Sequence, residues 1–190
     1  MATSTRERIL DVALDLFARK GYAETSLREV AAELGITKAA LYYHFESKQD
    51  ILLALHNRVH GLTDEMLPLL PERAEDAEAW ERVVEGLIGL TLKNRRLLQL
   101  SLRAQAELAE LHRHPEKHAQ PPDQGVEERL LELLTSPSLG IEERVRRVAS
   151  LGTVAAVLLL GATALTDVPD ADLEASLREA VHDLLARSRG

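Results

Sequence analysis

The sequence contains no cysteine, and only 3% of its 190 residues are aromatic, amounting to three Tyr, two Phe and one Trp. Without cysteine there is no disulfide framework, no thiolate metal site and no Cys nucleophile. No run of alternating apolar and polar residues is long enough for a sheet, which leaves an all-α chain. Cations are scarce, with 23 Lys+Arg against 31 Asp+Glu and a net charge of -8. That balance argues against a nucleic-acid partner, because Lys and Arg must neutralise phosphate. The N-terminus lacks a basic stretch followed by an apolar one, so a cytoplasmic protein is expected. One long uncharged run exists, from Val148 to Thr166. At 1.5 Å per residue it approaches the ~30 Å of a bilayer core. Gly152, Thr153, Gly161, Thr163, the many alanines and the lack of flanking Trp or Tyr argue instead for a helix buried between its own domain and a partner subunit.

What is present is a series of amphipathic stretches separated by turn signals. Ile9, Val12, Ala13, Leu16 and Phe17 form one helical stripe that stops at Gly21. Leu27, Val30, Ala31 and Leu34 form a second before Gly35, a third helix runs from Thr37 to about Phe45, and Ser47 opens a fourth that continues past Leu62. Further breaks fall at Pro68 and Pro71, Lys93-Asn94, His112 to Gln124, Pro137 to Gly140 and Asp167 to Asp170. The pattern predicts about nine helices, with an N-terminal three-helix domain over residues 1–47 and a larger helical domain over 48–190.

The block from Thr25 to Lys48 has the physics of a helix-turn-helix. Ala31 is small where two helices would cross, Gly35 can take the positive φ of the turn, and Ile36 and Leu41 would plug the core between them. The second helix of such a unit lies in the DNA major groove. Its exposed face would carry Thr37, Lys38 and Ala39, then Tyr42, Tyr43 and His44 one turn later, with Lys48 opening the next helix. Hydroxyls, an imidazole and an ammonium suit phosphate oxygens, and the short Ala39 allows close approach to the bases. Thr25 or Ser26 would add one more phosphate site.

From about Arg6 to Leu55 the chain closely resembles the DNA-binding domain of the tetracycline-repressor (TetR) family of transcription regulators. The resemblance is carried by Ile9 to Phe17, Lys20-Gly21-Tyr22, Thr25-Ser26-Leu27 and Leu41-Tyr42-Tyr43-His44-Phe45 with Lys48 three positions on. It implies a homodimer that binds a partly palindromic double-stranded DNA operator and is released by a small-molecule effector held in the remaining domain, and it implies a regulator rather than an enzyme. Position by position it assigns DNA contact to Thr25, Thr37, Lys38, Ala39, Tyr42, Tyr43, His44 and Lys48. Many relatives have Gly where Ala39 or Ala40 stands, which bears on how closely the helix approaches the bases. Residues 1–50 hold 7 basic and 8 acidic groups, so nearly all of the excess acidity lies in the other domain.

In that larger domain, the uncharged helix and the last amphipathic one are the expected subunit seam, through Leu151, Ala155, Leu158, Leu159, Ala162, Leu177, Val181 and Leu184. An effector cavity is expected to draw its lining from His56, His60, Trp80, Thr91, Gln99, Arg103 and Gln105. His56 with His60, and His112 with His114 and His118, are the two histidine groupings, each needing a further ligand before it holds a metal. No metal or other cofactor is expected. The chain has no Gly-x-Ser-x-Gly elbow, phosphate loop or dinucleotide fingerprint, and its single Glu-x-x-His at Glu179 and His182 is half of a di-iron set. The remaining alternatives are a ligand-independent DNA binder and a helical-bundle metal carrier.

Overall fold

A computed structural model describes residues 4–112, 124–165 and 167–186, leaving out the side chains of Thr63, His112, Gln124, Ala162 and Thr163. Residues 113–123 of the expected break from His112 to Gln124, with His114 and His118, and the side chains of His112 and Ala162 therefore lie outside the described residues. The described residues are all-helical: α1 Thr5–Lys20, α2 Leu27–Glu33, α3 Lys38–His44, α4 Lys48–Met66, a 3₁₀ turn Leu67–Leu69, α5 Ala77–Lys93, α6 Arg95–Arg103, α7 Gln105–His112, α8 Gln124–Thr135, α9 Ile141–Ala164 and α10 Asp170–Ala186. These are ten α-helices rather than nine. The extra one comes from a break at Ala104, between α6 and α7.

The chain forms two compact units, Met1–Val59 with Arg96–Pro121, and His60–Arg95 with Pro122–Gly190. In the first unit α1 buries Ile9, Leu10, Ala13, Leu16 and Phe17 at helical spacing, while α2 buries Val30 and Ala31 and α3 buries Leu41. Phe45, Ile51, Leu52 and Leu55 are also buried. Full burial of each large apolar side chain stabilises by about 1.5–3 kcal/mol, so this unit rests on its apolar stripes and not on its surface charges. Ion pairs add orientation: Arg58 of α4 reaches Glu7 and Asp11 of α1, the latter at 2.9 Å, and Arg96 of α6 reaches Asp15 of α1 at 2.7 Å.

In the second unit α5, α9 and α10 share a core of Trp80, Val84, Ile88, Val154, Leu177, Val181 and Leu185. Two of the residues expected at a subunit seam, Leu177 and Val181, are thus covered by their own chain and have no surface left for a partner. Leu151 packs partly against the same core. The amphipathic pattern of α10 identified its apolar face correctly, but that face closes the unit itself. Ala155 and Leu159 are exposed, and Leu158 and Leu184 are half-buried. No helix among the described residues is long and apolar enough to cross a membrane.

Candidate nucleic-acid interface

Three capping devices fix the geometry of α2 and α3. Ser26 caps α2 in a reciprocal box, its hydroxyl accepting from the Glu29 N–H at 3.3 Å while its own N–H donates to the Glu29 carboxylate at 2.9 Å. Lys20 holds the same carboxylate at 2.6 Å. The Lys20 ammonium foremost, then the Ser26 backbone and hydroxyl, pull the Glu29 carboxyl down to about 2. At the other end, Gly35 takes φ 65°, its N–H donates to Ala32 O at 3.1 Å and the Ile36 N–H donates to Ala31 O at 3.0 Å. This paired closure needs a residue in the left-handed region, which glycine supplies without a Cβ penalty. Thr37 then caps α3, its hydroxyl oxygen accepting from the Ala40 N–H at 3.1 Å.

These caps leave α3 with a buried side, Leu41 with Phe45 just beyond, and an outer side on which Thr37, Lys38, Ala39 and Ala40 are all exposed. Of the two tyrosines, Tyr43 is 86% exposed and Tyr42 is 42% exposed, with the Lys38 ammonium 5.3 Å from the Tyr42 ring centre. His44 is half-buried and meets the Tyr43 ring edge-on at 5.2 Å. An exposed face combining hydroxyls, an ammonium and short alanines can donate to phosphates and bring backbone close to base edges.

Two expected contacts are placed differently. Thr25 is 2% exposed, and its hydroxyl donates inward to Gly21 O at 2.9 Å and Leu16 O at 3.4 Å. Lys48 points its ammonium at three backbone carbonyls, those of Tyr22 at 2.8 Å, Ala23 at 3.1 Å and Thr25 at 2.9 Å. An ammonium has three donors, and all three are used inside the chain. The same ammonium lies 4.4 Å from the centre of the Tyr22 ring, which packs edge-on against Phe17. Burial first, and then the carboxylates of Glu107 and Asp50, push the Tyr22 phenol up. In the sequence Tyr22 stands out only as part of the family motif and Ser26 only as a candidate phosphate site, whereas the Ser26 hydroxyl and N–H are engaged with Glu29. The box carries a legible signal, Ser-x-x-Glu before an apolar run, whereas Tyr22 has no local pattern that marks its role.

The expected effector residues are divided between the two units. His56, Gln99, Arg103 and Gln105 belong to the first unit, and His60, Trp80 and Thr91 to the second. His56 Nδ1 lies 3.3 Å from Ser101 Oγ, while Arg103 and Gln105 are exposed. Trp80 and Thr91 are buried in α5, and the Trp80 indole N–H has no acceptor among the described residues.

Residues 9–55 match the family model described as bacterial regulatory proteins, tetR family. Among curated relatives, the HTH-type transcriptional regulator SrpR of Pseudomonas putida is 37% identical over 89 residues, 46% of this chain and 39% of SrpR. The HTH-type transcriptional regulator AcrR of Shigella flexneri is 50% identical over 50 residues, 26% of this chain and 23% of AcrR. The match therefore spans less than half the length of these relatives. Among solved structures, the TetR family transcriptional regulator PfmR of Thermus thermophilus is 27% identical, with a TM-score of 0.63 over 95% of this chain and 97% of PfmR. Residues 9–55 thus carry the helix-turn-helix segment of the tetR family of bacterial regulatory proteins, and the all-helical fold along nearly the whole chain is similar to that of PfmR.

Proposed function

We propose that the protein is a homodimeric transcriptional regulator, acting as a repressor, that reads a palindromic double-stranded operator through α3 and is released by a small molecule. The observation behind the DNA reading is the outer face of α3, where Thr37, Lys38, Ala39, Ala40, Tyr42 and Tyr43 are exposed together while Leu41 holds the helix from behind. Thr37, Lys38 and Ala39 read base edges at the start of the helix; Tyr42, Tyr43 and His44 position it on phosphates. Thr25 supports the turn before α2 from inside and takes no direct part.

Pairing of two copies rests on α9. Ile141, Val145, Val148, Ala155, Ala156 and Leu159 are exposed on one side of this helix, with Gly152 between them and no charged residue on that face. A two-fold axis through such a face is self-complementary, and a palindromic operator requires the two α3 helices of the pair to stand about one DNA turn, ~34–36 Å, apart. Release by a ligand draws support from Trp80, a buried indole N–H without an acceptor among the described residues, since such a donor gains a hydrogen bond when an acceptor arrives. The chain passes from the first unit to the second within α4, so a conformer that displaces the end of α4 also bears on its DNA-proximal start.

Selection of bound duplexes from random DNA tests the reading. Recovery of a sequence with two inverted half-sites supports it, and altered preference at a few base pairs in Lys38→Ala assigns that residue to base reading. Recovery of no sequence preference at all overturns it.

A further inference from the structure

We infer that Lys48 is a positioning residue for DNA binding: its ammonium fastens the turn between α1 and α2 to the start of α4, and so sets where α2 and α3 stand on the duplex. This rests on the DNA reading above and goes beyond it, because the charge of Lys48 is assigned to the chain's own backbone and not to a phosphate. Four observations carry it. The Nζ donates to Tyr22 O, Ala23 O and Thr25 O at 2.8–3.1 Å, which uses every donor an ammonium has. The Tyr22 ring closes over the same nitrogen at 4.4 Å. The three carbonyls lie in the segment between the glycine that ends α1 and the Ser26 cap of α2, so holding them holds the first turn of α2. Lys48 is itself the first residue of α4, and the start of that helix is fixed by reciprocal bonds, Ser47 N–H to Asp50 Oδ2 at 2.8 Å and Asp50 N–H to Ser47 Oγ at 3.1 Å.

Thr25 reinforces the fastening from the inner side, its hydroxyl binding Gly21 O and Leu16 O. The turn is thus held on both sides, by a buried hydroxyl and by an ammonium that arrives from 23 to 26 residues later in the chain. A displacement of the start of α4 moves the acceptor segment with it, and α2 follows through its cap. Charge alone does not meet this geometry. A compact ammonium can satisfy three convergent carbonyls, whereas a planar guanidinium presents its donors in a flat fork.

The test uses the full chain, a duplex selected from random DNA with the wild type, and a random duplex of equal length. Lys48→Met keeps most of the stem and removes the charge; Lys48→Arg keeps the charge and loses the compact donor geometry. Affinity is referred to the active fraction found by stoichiometric titration, so that a merely less stable chain registers as fewer active molecules at unchanged Kd. The expected result is a loss of about tenfold at the selected duplex for both variants, the scale of charge-assisted hydrogen bonds. The salt slope and the affinity for random DNA stay near wild type, and amide exchange quickens from Tyr22 to Ser26. The inference is overturned if Lys48→Arg behaves as wild type while Lys48→Met loses affinity equally on both duplexes with a slope lower by roughly one, the signature of a phosphate contact. Unchanged Kd in the active fraction of both variants overturns it too. A wild type that retains no duplex overturns the DNA reading, and with it this one.

Discussion

Arg147 is the largest charged side chain in the described interior, 1% exposed, and its surroundings explain how a cation survives there. Its Nε donates to Glu143 at 2.7 Å, its Nη1 donates to Ala74 O at 2.6 Å, and the guanidinium lies 4.9 Å from the centre of the Trp80 ring. A buried pair of this kind contributes little net stability against an apolar replacement, but removing one partner strands the other charge. Glu143→Leu is therefore expected to destabilise the protein by about 3–5 kcal/mol in urea unfolding. A cost below about 1 kcal/mol, ordinary for a surface pair, would remove Glu143 as the counter-charge. Glu29 offers a pH test of the α2 cap. Its carboxyl titrates near 4.5 in the unfolded chain and about 2 when folded. A depressed folded value gives stability that is complete above the unfolded value and disappears as pH falls through the folded one. Wild type is expected to exceed Glu29→Gln in stability at pH 7, with the gap closing between pH 4.5 and 2. A gap independent of pH would show that the ionised carboxylate is not what holds the cap.

The helix ends were legible because each is marked by a group with a local bonding task. Thr37 caps α3, Asn94 ends α5 with its amide on Leu90 O at 2.9 Å, and Gly35 closes α2 at a positive φ. Gly35→Ala tests that last device. Nothing lies within 4 Å of the added Cβ, so backbone strain alone accounts for the expected loss of about 1–2 kcal/mol. A neutral substitution would mean that the turn adopts another conformation at little expense. The break at Ala104 was illegible for a physical reason. Leu97, Leu100, Ala104 and Leu108 are buried at i, i+3, i+7 and i+11, so the apolar stripe runs through the bend without interruption. The bonds Ala104 N–H to Leu100 O and Leu108 N–H to Ala104 O, both 2.9 Å, also keep helical spacing across it. Partners distant in sequence were equally hidden. The apolar face of α10 could be read from Leu173, Leu177 and Val181, but the pattern does not say whether α5 and α9 or a second copy covers it. The outer face of α3 was readable because Leu41 and Phe45 fix which side is inward, whereas the carbonyls that occupy Lys48 have no sequence signature, since every residue has one.

For the whole molecule, the charge of -8 divides into nearly neutral residues 1–50, with 7 basic and 8 acidic groups, and an acidic remainder. With Lys48 engaged inside the chain, few cations are left to displace counterions, so binding to random DNA is expected to be weak and its salt slope shallow. On the proposed reading, affinity then comes from specific contacts made twice, which makes pairing of copies a condition of that reading. The α9 face is where that condition is most open to test. Val148 is 55% exposed in a single chain, so Val148→Glu has water available to its carboxylate and should leave the isolated fold and its helical signal intact. In a two-fold seam the same substitution places two carboxylates opposite one another on an uncharged surface, where neither finds a counter-charge. Sedimentation of this variant is expected to give monomers at concentrations where wild type is dimeric, and its affinity should fall far more for the full palindrome than for a single half-site. A dimer that persists with undiminished operator affinity would move the seam off this face of α9.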